Sequence, residues 1–216
     1  MPLLLLIVLG IAAVGIGAVA LHKALGDARK KKYSLFSSKE VGKTAEPCIK
    51  VQDATPEQAT KVVKAHKKAG EMINKAIERL KAAKSKPDPL VKKYFDINGT
   101  DEEDQKKLDK LVDNFKKMED KTGSIDYEVE NKKYKPGKSN TVAYVYDSMG
   151  DVHLCFPAFD YESENGRAST VVHEISHYSA GTKDHAYDWE TKKWNKMSQK
   201  DKMENADSYS EFAEEA

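Results

Sequence analysis

Residues Thr170 to Tyr187 read TVVHEISHYSAGTKDHAY, and this stretch decides the fold. Ala168, Val171, Val172 and Ile175 recur at helical spacing, so its first half forms a helix with one apolar face. His173 and His177 stand four residues apart, one turn apart on the same side of that helix. With Glu174 they complete the pattern H-E-x-x-H. Two such histidines can bind one zinc ion together, and the glutamate beside the open position can take a proton from bound water. Gly181 then allows the chain to turn sharply back toward the helix.

A catalytic zinc site needs a third protein ligand. The arrangement H-E-x-x-H-x-x-G-x-x-H is absent, because Ala180 and Lys183 occupy its glycine and last histidine positions. Two sources stay open. One is Asp184, just past the turn at Gly181; the other is a glutamate from a later helix, Glu204 or Glu211.

The sequence His173-Glu174-x-x-His177, followed by Gly181-Thr182-x-Asp184-x-x-Tyr187, resembles the aspzincin signature. That family includes deuterolysin and the fungal peptidyl-Lys metalloendopeptidases. The likeness runs upstream through AYVYDSMGDVHLCFPAF and downstream to NADSYSEFAEE, covering about Cys48 to the C-terminus and strongest from Ala143 onward. It implies an α+β, zincin-like metallopeptidase domain. It implies one Zn2+ held by His173, His177 and Asp184, with Glu174 as general base and acid and Tyr187 as donor to the oxyanion. The implied activity is hydrolysis of peptide bonds in protein or peptide substrates. A strand such as Val152 to Phe156 would pair with the extended substrate backbone.

Three departures from the family pattern stand out. Asp188 follows the tyrosine where the family has glycine. In the Lys-specific members NAD is followed by two residues and a glutamate; here Asp207 matches, Ser210 takes the glutamate position and Glu211 lies one place on. One residue turns a helical side chain by about 100°. A preference for lysine after the scissile bond would therefore rest on Asp207 and Glu211, which otherwise read with Glu214 and Glu215 as a solvated helix face. Finally, relatives carry more cysteines. With their usual local partners missing, Cys155 in the strand would pair with Cys48, or both would stay reduced if the domain is cytoplasmic. The alternative to an active enzyme is an inactive, membrane-anchored binding or assembly protein that retains the zincin fold. The presence of every implied triad residue counts against it.

Elsewhere the sequence supplies a frame. Thr55-Pro56-Glu57-Gln58 is an N-cap with a capping box, opening a helix whose apolar stripe runs from Ala59 to Leu80. His66 lies on that stripe as a core histidine without a second ligand on its face. Thr100 caps a second helix with Leu108, Leu111, Val112, Phe115 and Met118 inside. Alternation at Ile125–Val129, Val142–Tyr146 and Val152–Phe156 predicts a small antiparallel sheet, with a hairpin turn at Asp147–Asp151 and His153 pointing outward. His185 borders the cleft without binding metal.

The 216 residues carry 36 Lys and Arg against 35 Asp and Glu, a balance that gives no reason to expect a nucleic-acid partner. Pro2 to Leu21 is an uncharged apolar run long enough to span a bilayer. It reads as a retained single-pass anchor ahead of a cleaved signal, although Ala18 and Ala20 would form a cleavage site. The expected organisation is residues 1–22 as this anchor or signal, 23–46 as a basic, polar linker and 47–216 as the peptidase domain. The basic cluster from Lys23 to Lys32 argues for a cytoplasmic flank. Peptidase chemistry argues for the extracytoplasmic side, which is favoured, with the protein membrane-anchored or secreted.

Overall fold

Thr55 opens the longest helix, α1 (Pro56–Ala83), where its hydroxyl accepts from Gln58 N and the Gln58 side chain accepts from Thr55 N. In this computed structural model, which describes residues 33–34, 49–99, 101–131, 141–146 and 150–216, seven further helices follow. They are α2 (Pro89–Phe95), α3 (Glu102–Thr122), α4 (Ala158–Tyr161), α5 (Glu164–Ala180), α6 (Thr191–Trp194), α7 (Gln199–Met203) and α8 (Ala206–Glu215). The strands are β1 (Tyr33–Ser34), β2 (Lys50–Gln52), β3 (Asp126–Glu130), β4 (Ala143–Val145) and β5 (Asp151–Cys155). The N-terminal apolar run, most of residues 23–46 and Cys48 lie outside the described residues. Among those described, no helix is long and apolar enough to cross a membrane.

The sheet has the order β1-β2-β3-β5-β4 and is mixed. β2–β3 and β3–β5 are parallel; β1–β2 and β4–β5 are antiparallel. The expectation of a wholly antiparallel sheet is thus corrected. Alternation reveals which residues share a face, but strand direction depends on the long connections, and α1, α2 and α3 carry the chain between β2 and β3. The order also overturns the expected substrate strand. β5 is hydrogen-bonded on both sides, whereas β4, next to it, is the edge strand among the described residues. Tyr33–Ser34 adds a strand from within the stretch expected to be a linker.

Helices α1, α3 and α5 pack together, and α8 packs against α5 and α2. α3 is capped by Asp101, whose carboxylate accepts from Asp104 N, rather than by the expected Thr100, which lies outside the described residues. Asp88 caps α2 and accepts from Arg79 Nε of α1 at 3.0 Å. Phe95, Phe115, Tyr209 and Phe212 form an aromatic cluster with ring centroids 5.1–5.9 Å apart. Burying each such ring is worth about 1.5–3 kcal/mol. Tyr209 OH donates to Met203 O and accepts from Asn114 Nδ2, which settles its polar end. This cluster seats α8 beneath the H-E-x-x-H helix.

Two histidines away from the motif are buried. His66 meets Tyr127 OH at 2.8 Å through Nδ1, and burial pushes its pKa down to about 4. His153 was expected to point into solvent, but its side chain stacks on Tyr144 at 4.6 Å and the residue is only 6% exposed. The outer face of a sheet can be covered by its own aromatic neighbours, and strand alternation cannot register that. Cys155 is buried and has no disulfide partner among the described residues, which leave out Cys48, and burial holds its thiol above the usual range at about 11.

Candidate metal centre and cleft

Ser163 starts α5, accepting from Gly166 N, and Gly181 ends it at φ +67°, a left-handed conformation that favours glycine. The turn is pinned from inside: Ser176, fully buried, shares a 2.7 Å hydrogen bond with the Thr182 hydroxyl. Beyond it, residues 183–188 run alongside 204–207. Lys183 N donates to Glu204 O and Ala206 N donates to Lys183 O. The buried Asn205 side chain accepts from His185 N and Ala186 N and donates to Ala186 O. Asp188 N donates to Asp207 Oδ2 at 2.7 Å. A loop that would otherwise be free is thereby held to the start of α8.

This clamp brings three donor atoms together. His173 Nε2 and His177 Nε2 are 3.2 Å apart, and Asp184 Oδ1 lies 3.0 Å and 3.1 Å from them. Tetrahedral ligands about 2.0–2.1 Å from zinc stand roughly 3.3 Å from one another, so the spacing suits one ion. The far nitrogens settle the tautomers. His177 Nδ1 donates to Thr182 O at 2.9 Å, and His173 Nδ1 faces Asp207 Oδ1 at 3.3 Å. Both Nε2 lone pairs are thus turned toward the carboxylate, a donor set that fits a cation. Without a metal the same convergence binds protons. Burial alone would lower the His173 pKa, but Asp184 and Asp207 outweigh it and push it up to about 10. The two histidines hold the Asp184 carboxyl far below the usual range.

The structure therefore brings His173, His177 and Asp184 into one group, which contains neither Glu204 nor Glu211. Glu174 is 5% exposed, and its Oε2 is a buried atom without a hydrogen-bond partner among the described residues. Burial and then Asp184 raise its pKa, against the opposing pull of the two histidines. The Tyr187 ring lies parallel to His173 with centroids 6.0 Å apart. Its ionisation is opposed by burial and by the carboxylates of Asp184 and Asp207.

A cleft of about 660 Å³ opens beside this group, and Val142, Ala143, His173, Glu174, Tyr187 and Glu211 are among the residues that line it. Asp207 and Glu211 line it, and together with Asp188, which does not, they place carboxylate oxygens within 4.8 Å of one another. The solvated-face reading of α8 is corrected for Asp207, which is only 6% exposed. The one-residue shift does not remove Glu211, since both it and Ser210 line the cleft. His185 is not among the lining residues.

The match to a family model decides the relationship: residues 80–214 fit the aspzincin model, described as lysine-specific metallo-endopeptidase. The chain belongs to the aspzincin family. This aspzincin also shares its fold with a zinc peptidase from Grifola frondosa, at TM-score 0.63 and 22% identity, over 74% of this chain and 96% of that one. No curated protein sequence matches it. In this aspzincin, sequence reasoning missed Asn205 and the second contact of Asp207. The quoted NAD was their only signal, and nothing in it reveals that Asn205 clamps the loop or that Asp207 faces a histidine.

Proposed function

We propose that this aspzincin is an active zinc endopeptidase whose single Zn2+ is held by His173, His177 and Asp184. The observation that carries the reading is the convergence of two Nε2 atoms and Asp184 Oδ1 within 3.0–3.2 Å. When bound, the metal supplies Lewis acidity, lowering the pKa of water and polarising the scissile carbonyl. Glu174 takes the proton from the attacking water and passes it to the leaving amine, a role suited to a buried carboxylate of raised pKa. Tyr187, kept protonated by its surroundings, donates its phenol hydrogen to the developing oxyanion. The edge strand β4 offers its backbone to an extended substrate along the cleft wall.

Lysine following the scissile bond is the side chain this cleft favours. Asp207, which also meets Asp188 N and His173, and Glu211 both line the cleft, and they are the carboxylates that would face an ammonium group. Burial, then Asp188 and Asp207, push the Glu211 pKa up to about 7, a repulsion that a lysine side chain relieves.

The test uses the full-length protein with zinc on a denatured protein substrate. Glu174→Gln should keep zinc and lose about 10²–10⁴-fold in kcat. Wild-type turnover by that variant would sink the mechanism. Mass spectrometry of the wild-type products should find lysine at the new N-termini, and cuts without lysine bias would end the specificity reading alone.

A further inference from the structure

We propose that Trp189 is a positioning residue for Tyr187, holding the phenol in the orientation from which it serves the reaction. This rests on the reading that Tyr187 stabilises the oxyanion. Three rings are stacked: His173 and Tyr187 are parallel within 9° at 6.0 Å, and Tyr187 and Trp189 within 5° at 4.6 Å. The Trp189 contact is the tighter of the two. Trp189 is nevertheless 72% exposed, so burial in the core does not explain its orientation. Trp194, the other tryptophan, instead meets Tyr94 edge-on at 6.1 Å beside the core.

The backbone prepares the stack. Glu190 N donates to Tyr187 O at 2.9 Å, while Tyr187 N donates to Glu190 Oε2 at 3.3 Å. These bonds close a turn around Asp188 and Trp189, and Asp188 N is anchored on Asp207. Glu190 is held in turn by Lys193. With both backbone flanks fixed, the remaining freedom of Tyr187 is rotation of its side chain toward the open cleft. Trp189, which lines the same cleft, stacks on the ring at 4.6 Å and opposes that rotation. The offset-stacked geometry is one that aromatic pairs favour.

The experiment compares kcat and KM for Trp189→Ala, Trp189→Phe, Tyr187→Phe and the Trp189→Ala/Tyr187→Phe pair, in the full-length zinc-loaded protein. Trp189→Ala should lower kcat about 3- to 10-fold, the range an aromatic stack supplies, with KM within about twofold. Trp189→Phe should recover most of the loss. On the Tyr187→Phe background Trp189→Ala should cost nothing further, because its effect runs through the phenol. Near-UV circular dichroism of the metal-free protein should carry a Trp–Tyr band that Trp189→Ala and Tyr187→Leu each remove. An equal kcat loss on the Tyr187→Phe background, a change in KM alone, an unchanged kcat or absence of that band would overturn the proposal. Failure of the zinc-peptidase reading looks different, since Glu174→Gln would then turn over like wild type. Full activity of Tyr187→Phe would remove the oxyanion role and this proposal together.

Discussion

Asp207 Oδ1 stands 3.3 Å from His173 Nδ1, so a carboxylate at the start of α8 fixes which nitrogen of a helix α5 histidine faces Asp184. Partners of this kind orient metal-binding histidines and raise their basicity. Asp207→Asn should therefore weaken zinc binding about 10–100-fold without touching a ligand. Chelator competition measures this, and wild-type affinity in the variant would assign Asp207 to the substrate alone.

Removal of Asp184 should do more. Asp184→Ala takes away one of three converging donors, so zinc affinity should fall further than the roughly 10–100-fold of an outer partner. Zinc retained at wild-type affinity would shift the third ligand to a glutamate of the C-terminal region.

Glu211 should make stability depend on pH. Its folded pKa is pushed up to about 7, first by burial and then by Asp188 and Asp207, against about 4.3 in an unfolded chain. The folded state thus keeps a proton that the unfolded state releases. Stability from this group is full below about pH 4.3, declines as pH rises and levels off above about 7. Glu211→Gln removes the loss: metal-free melts should show no gain near pH 4 and about 1–3 kcal/mol above pH 7. A gain that is constant across this window would show that the carboxyl titrates normally.

Asn205→Ala should cost about 2–4 kcal/mol in denaturant unfolding of the metal-free protein, because it strands several buried backbone groups. The groups at stake are His185 N, Ala186 N and Ala186 O. Zinc affinity should fall as well, since Asp184 precedes the clamped pair and Tyr187 follows it. Unchanged stability would mean that water replaces the side chain there.

Much of the ligand helix was legible because its determinants are local. Four-residue spacing places His173 and His177 on one face, and Gly181 supplies the left-handed end that the turn toward Asp184 needs. The capping box at Thr55 is equally local, and it is present as expected. The sheet was less legible. Alternation marked β3, β4 and β5, but the parallel pairing of β3 with β5 and the edge position of β4 depend on how distant segments meet. His153 shows the same limit, since its burial comes from Tyr144 on the neighbouring strand.

By itself, then, the sequence determined the chemistry on offer: two histidines, a glutamate and a nearby aspartate, arranged by helix periodicity and one glycine. Tertiary structure decided how that chemistry is held. Asp207 reaches His173, Asn205 ties down the loop and Glu211 enters the cleft because α8 is seated by an aromatic cluster drawn from three helices. Such contacts depend on packing between residues far apart in the chain, and no local pattern of side chains encodes their distances.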